Sequence, residues 1–389
     1  MDLNYNDVEN TFNKYIEECR NQIKNLFFSD EEIEKSYYIK SNLLKSGKIG
    51  ENTLVSDAIK KHRNELIDIK LNHTMRVVKD VTRISEKMEL NVDFEKVLKV
   101  SALLHDIGRF PQAINSNDFN DKKCNIFNGM SHAEYGYQML YVNKDFDKLL
   151  IPEKYRFVIS QPVRYHQIPV LTGELALLFE KKENLDINKY LTGNKELNMN
   201  EKIIVAALVQ MVKDVDMLDI LYQHLTGEFP VIKKSIVYDV CGDSLKEISM
   251  HFGISKNEIK EYNGLTNDDI SNLTEINIPV QNINPVKLTV PKDIQDRFFN
   301  NENIDLKELQ ARRDWTFITG MWWRLNHFLN NINFVSNLEV VKENELLEKI
   351  YETYPDKYKP LVYDAFMFAK EELIDKAINN NKGQIYKMK

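Results

Sequence analysis

Residues 94–107, FEKVLKVSALLHDI, constrain this chain more than any other stretch. The run is apolar enough to predict a helix held in a protein core. Its last turn nevertheless carries two ionisable side chains in succession, His105 and Asp106. Consecutive helical residues point about 100° apart, so both reach a common ion most easily at a helix end. Gly108 stands where a helix C-cap is expected, so the chain can turn away and leave an ion accessible. An imidazole nitrogen suits Fe, Mn, Zn, Co or Ni, and a carboxylate favours the harder ions. The pair is therefore a candidate metal site.

Most of the remaining chain reads as helix. Residues 9–28 place Phe12, Tyr15, Ile16, Ile23 and Phe27 close to a helical stripe, and Ser29-Asp30-Glu31-Glu32 predicts the cap of a second helix. Residues 71–89 continue helically through Leu71, Met75, Val78 and Val81. A polar loop covers 115–130, and helices are expected at 132–142, 153–166, 171–192 and 200–225. The texture changes near Phe229. SIVYDV (235–240) and TEINIPV (274–280) are β-type runs enclosing two short helical stretches, each ended by a glycine. Together they predict a βααβ module. Residues 282–291, with Pro285 and Pro291, read as a linker or edge segment. Helices return from about residue 294, with an aromatic cluster at Trp315, Phe317, Trp322 and Trp323.

The composition narrows the function classes. A chain of 389 residues with 43% hydrophobic and 29% charged residues is that of a soluble globular protein. The net charge of -7 argues against a general nucleic-acid or anionic-membrane binder, though it leaves room for a local basic phosphate pocket. The first residues lack a basic segment followed by an apolar run, and no stretch is long enough to span a bilayer. Cys19, Cys124 and Cys241 are odd in number and far apart, which suits neither a disulfide framework nor a zinc pattern. A cytoplasmic location is expected.

Around the His-Asp pair, LNHTMRVV, SALLHDIGR and MVKDVDMLD resemble the H…HD…D signature of the HD superfamily of metal-dependent phosphohydrolases. The resemblance implies an all-helical bundle and a metal held by His73, His105, Asp106 and a later aspartate. Asp214, Asp216 and Asp219 are all available for the last position. Val215-Asp216-Met217-Leu218 best matches the family pattern, which selects Asp216 and leaves Asp214 as the alternative. SHAEYGYQML and RYHQI resemble the later segments of binuclear HD enzymes, including the HD-GYP group. That implies a second ion at His132 and His166, bridged by Asp106. Gln167 stands where that group has a second histidine, and no Gly-Tyr-Pro follows. One isolated histidine would be a weak signal. Here four of the eight fall in family positions in order, while His62, His224, His251 and His327 fit none.

Arg76 follows His73 by one helical turn, and Arg109 follows the His-Asp pair closely. Both are candidates for catalysis and for gripping a substrate phosphate, and Arg164 and Lys213 are further candidates for binding it. The activity implied is hydrolysis of a phosphate ester, a nucleotide or cyclic nucleotide above all, using one or two divalent ions of Mn, Fe, Co, Ni or Zn. The alternatives are a di-iron oxygenase on the same scaffold, or a protein that binds a glycan or acts as a scaffold.

The last alternative comes from residues 238–280. The Tyr238-x-Val240 strand, Gly242-Asp243-Ser244-Leu245, Phe252, Ile254-Ser255, Asn263 and Ile278-Pro279 resemble a LysM domain. Such modules usually bind glycans containing N-acetylglucosamine. A scaffolding or oligomerising role is the other expectation, with a protein partner or a second copy of the chain. Leu245, Ile248, Phe252, Ile259 and Ile278 are its expected core. GMWWRLNHFLNNINF (320–334) resembles the C-terminal helical part of bacterial HD proteins. The expected organisation is therefore N-terminal helices at 1–60, an HD core at 61–234, the LysM-like insertion at 235–282, and a return to the helical body at 283–389.

Overall fold

The computed structural model describes residues 2–167, 199–226, 235–310 and 316–380. The helix expected over 171–192, and Trp315, lie outside the described residues. The chain divides into two compact units, with the boundary between Asp219 and Ile220.

The first unit is helical throughout its described part. Helix α1, Tyr5–Lys24, buries Val8, Phe12, Ile16, Cys19 and Ile23, a stripe stepping by three or four residues. Phe27 was grouped with that stripe in sequence but lies beyond the helix, 97% exposed. Ser29 caps α2, Asp30–Lys35, in a reciprocal capping box with Glu32, and α3, Tyr37–Lys45, follows. Helix α4, Val55–Lys87, starts well before the sequence pattern suggests. Its early apolar stripe is interrupted by Arg63, which is buried and donates from Nη1 to Ile114 O (2.5 Å) and from Nε to Asn117 Oδ1 (3.0 Å). A polar residue at a core position hides the periodicity.

Helix α5, Val92–Leu104, is the apolar helix of the His-Asp motif, and all of its residues from Val100 to Leu104 are buried. Gly108 is not its left-handed C-cap. Its φ is -65°, and it starts α6, Arg109–Asn115. Glycine is needed there for close packing: an added Cβ would lie 2.2 Å from the carbonyl oxygen of His132. Gly136 faces it on the crossing helix, where a Cβ would meet Gly108 N at 3.2 Å. That crossing helix is α7, His132–Tyr137, which runs on through a π-helical segment to Val142. Helix α8, Glu153–Tyr165, and α9, Met199–Thr226, complete the series. Phe12 of α1 packs edge-on against Phe110 of α6, ring centroids 5.6 Å apart.

The second unit holds the βααβ module. Strands β1, Ser235–Asp239, and β2, Glu275–Pro279, pair antiparallel, with Ser235 opposite Pro279 and Asp239 opposite Glu275. Between them lie α10, Leu245–Phe252, and α11, Lys256–Asn263. Each has a Ser/Glu capping box and ends on a left-handed glycine, Gly253 or Gly264. Leu245, Ile248, Phe252, Ile259 and Ile278 are buried, so the expected module core is the observed one. Residues 280–290 form two short 3-10 turns that bury Ile283, Leu288 and Val290. Helices follow at α12 (Lys292–Phe299), α13 (Leu306–Gln310), α14 (Phe317–Asn331), α15 (Val335–Glu343), α16 (Leu346–Glu352), α17 (Lys359–Phe368) and α18 (Lys376–Asn380). Buried Tyr358 donates its hydroxyl to Val280 O (2.6 Å) and Ile283 O (3.3 Å), tying the end of the module to these helices.

Candidate metal centre

Five helix positions converge in the first unit. His73 lies on the buried face of α4, and His105 and Asp106 follow the end of α5. His132 is the first residue of α7, His166 follows the end of α8, and Asp216 lies in α9. All four histidines are buried.

The four rings are anchored in the same way, each through Nδ1. His105 donates to Ala102 O (2.7 Å) and His166 to Val163 O (3.0 Å), each reaching back into its own helix. His73 donates to Asp219 Oδ2 (2.6 Å) and His132 to Asp121 Oδ2 (2.8 Å). These acceptors place a proton on Nδ1, so in the neutral form of each ring Nε2 presents a lone pair to the interior. His73 Nε2 and His105 Nε2 lie 3.1 Å apart. Two lone pairs facing at that distance repel unless a proton or a metal cation lies between them.

Asp106 divides its carboxylate between two pairs of histidines. Oδ2 lies 3.5 Å from His73 Nε2 and 3.8 Å from His105 Nε2. Oδ1 lies 3.1 Å from His132 Nε2 and 3.8 Å from His166 Nε2. Asp216 Oδ1 joins the first group, 3.2 Å from His73 Nε2 and 3.7 Å from His105 Nε2. Ligands about 2.1 Å from one ion stand roughly 3–3.5 Å from each other, so this donor set fits a divalent ion at the first group. The second group, Asp106, His132 and His166, offers three donors within 4.8 Å of one another. Carboxylate bridging between two such groups is the geometry of a two-ion site.

The titration tendencies follow from burial and from the neighbours. Burial disfavours protonation of His166, as does nearby His105, and its pKa falls to about 4, leaving the ring neutral. Burial and Lys70 also oppose charging of His73, but the hydrogen bonds to Asp106, Asp216 and Asp219 outweigh them and push it up to about 10. The cluster thus demands positive charge at that position. Burial alone would raise Asp106, yet Lys70 and the histidines hold it well below the usual carboxylate range. His105 and His73 do the same for Asp216.

The remaining sequence candidates fall in varied surroundings. Asp214 is buried and accepts from Gln210 Nε2 (2.7 Å), while Asp216 Oδ1 lies 3.2 Å from His73 Nε2. Arg76 donates from Nε and Nη2 to the two oxygens of Asp219 (2.5 and 3.1 Å). Arg109 Nη1 donates to Asp121 Oδ1 (2.6 Å), Gln112 Oε1 (2.7 Å) and Phe119 O (2.9 Å), and its Nε lies 3.9 Å from Asp106 Oδ1. Arg164 is held by Glu134 (2.7 and 3.3 Å) with its guanidinium 4.4 Å from the Tyr137 ring centre. Lys213 is buried, and burial lowers its pKa. Gln167 Nε2 lies 3.1 Å from His132 Nε2, so its amide group adjoins the second donor set.

Two side chains at the site, Lys70 and Asp121, have no place in the sequence reading, and Asp219 stands there only as an alternative ligand. Lys70 Nζ lies 2.7 Å from Asp106 Oδ2. It precedes His73 by three residues, so the helical spacing that singled out Arg76 could have found it. Asp219 orients His73 and is three residues beyond Asp216, one turn along α9. Asp121 orients His132 from the polar loop, where no periodicity marks it. Carboxylates that accept from the far nitrogen of a ligating histidine fix its ring and raise its basicity.

Comparison with known families agrees with this geometry. The family model for the HD domain matches residues 71–212, and that for the LysM domain matches residues 241–279. The chain is an HD-domain protein, and within its second unit it carries a LysM module. HD domains bind divalent metals. The HD match ends four residues before Asp216, so the placement of that side chain rests on the structure. No curated protein and no solved structure matches the chain. Among the described residues, no helix is long and apolar enough to cross a membrane.

Proposed function

We propose that the chain is a metal-dependent phosphohydrolase whose ligands are His73, His105, Asp106 and Asp216, with His132 and His166 for a second ion. The observation that carries this reading is the divided carboxylate of Asp106, with two imidazole Nε2 lone pairs turned toward each of its oxygens. Bound divalent ions would supply an acidified water for attack on phosphorus and positive charge for the phosphoryl oxygens. The chain's own part is orientation. Asp219 and Asp121 hold His73 and His132 in the tautomer that leaves Nε2 unprotonated, while Ala102 O and Val163 O do this for His105 and His166. Arg76 and Arg109, each bound to one of those aspartates, steady the same two contacts.

Nucleotides and cyclic nucleotides are the substrate class to test first. A panel of these and of simpler phosphate mono- and diesters, assayed with Mn, Co, Ni, Mg and Fe, should show metal-dependent release of product from at least one. Hydrolysis of none would overturn the reading. A redox-sensitive di-iron spectrum without hydrolysis would favour an oxygenase on the same six ligands. For the LysM module we propose a fixed, scaffolding part, because Tyr358 clamps the backbone at Val280 and Ile283. Binding of chitin oligomers by the full chain would assign it glycan recognition instead.

A further inference from the structure

We propose that Lys70 is a cation that receives the substrate's phosphate. The proposal rests on the hydrolase reading and goes further by naming the residue that contacts the phosphoryl group. It follows from where each cation's hydrogen bonds are spent. The fork of Arg76 is bidentate on Asp219. Nη1 of Arg109 serves three acceptors, though its buried Nε has no hydrogen-bond partner, and Arg164 is committed to Glu134. Reorienting any of them breaks two or more charge-assisted bonds, and for Arg76 and Arg109 it also releases a carboxylate that orients a histidine.

Lys70 has a different position. Its ammonium meets Asp106 Oδ2 at 2.7 Å, the same oxygen that faces His73 and His105. An ion held by those three groups would have to share that oxygen with the ammonium, so the two positive charges would compete for it. With an ion bound there, the ammonium would gain by turning to a phosphoryl oxygen of the substrate. A flexible four-carbon stem and a compact charge suit this movement. The side chain is 16% exposed, so it is not sealed in the core. The ring of Phe119 flanks it, with its centre 5.4 Å from Lys70 Nζ and 5.5 Å from the Arg109 guanidinium.

The test compares Lys70→Met and Lys70→Arg with the unaltered full chain, using Mn2+ and then inorganic phosphate as probes in titration calorimetry. Lys70→Met should bind Mn2+ at least as tightly as the unaltered chain, because a competing cation is gone. It should bind phosphate to the Mn-loaded protein about tenfold more weakly, the loss of one charge-assisted contact. Lys70→Arg should keep phosphate binding within about threefold, since the charge stays in reach of the ion. Unchanged phosphate binding by Lys70→Met overturns the proposal. So does a loss of Mn2+ together with phosphate, because that would make Lys70 a support for Asp106. Failure of the hydrolase reading has its own signature: an unaltered chain that binds both probes yet cleaves no phosphate ester.

Discussion

Gly108→Ala tests the link between packing and the centre. An added Cβ would sit 2.2 Å from the carbonyl oxygen of His132. A relaxed carbon–oxygen contact needs at least about 3.2 Å, so α6 and the start of α7 must separate by roughly 1 Å. Both ends of that displacement carry site residues. Asp106 lies two residues before Gly108, and the carbonyl that is pushed belongs to His132 itself. The 3.1 Å approach of His132 Nε2 to Asp106 Oδ1 would open to about 4 Å. Overpacking of this kind costs about 1–3 kcal/mol of stability, and a 1 Å misplacement of reacting groups costs about a hundredfold in rate. The expected variant is folded with a lower Tm, keeps one tightly bound Mn2+ and loses the second. Thermal unfolding and metal analysis after gel filtration read both effects. A variant with the original Tm, metal content and activity would refute the claim that this crossing sets the second half of the site.

Asp219→Asn should lower metal affinity by about 10- to 100-fold, because the amide keeps an acceptor for His73 Nδ1 but loses the charge that holds His73 and Arg76. Competition with a chelator measures this, and unchanged affinity would contradict the orienting role. Asp80 gives the pH prediction. Burial lifts its carboxyl to about 6, with Arg83 at 3.5 Å compensating only in part. The folded state therefore holds the proton more tightly than the unfolded chain, and stability falls as the pH rises from about 4 through 6. Asp80→Asn should add on the order of 1–3 kcal/mol at neutral pH and nothing near pH 4, as read by urea unfolding at the two values. A variant no more stable at neutral pH would contradict this.

The ends of the site were easier to read from sequence than its supports. His73, His105, Asp106, His132 and His166 stand in an order that resembles a known family, and the fold brings all five together with Asp216. The helical class and the βααβ module were legible because amphipathic stripes and glycine-ended helices leave strong periodic signals. Gly108 was misread because a glycine after a helix is most often a left-handed cap. Its actual need is a backbone crossing, which only the tertiary arrangement creates. The early part of α4 was missed because Arg63 occupies a core position, satisfied by a distant carbonyl. Asp121 was invisible for a related reason: its partner His132 is eleven residues on, across an irregular loop. Lys70 and Asp219 carry the right helical spacing, but spacing alone does not tell which neighbour faces the ion.

The most direct test of the central claim is the Mn-dependent release of inorganic phosphate or nucleotide by Asp106→Ala beside the unaltered chain, with folding checked by circular dichroism. Asp106 is the residue both donor groups share, so removing it should take away both ions and abolish hydrolysis in a protein that remains folded. Retained hydrolysis by a folded Asp106→Ala would contradict a centre built on that carboxylate.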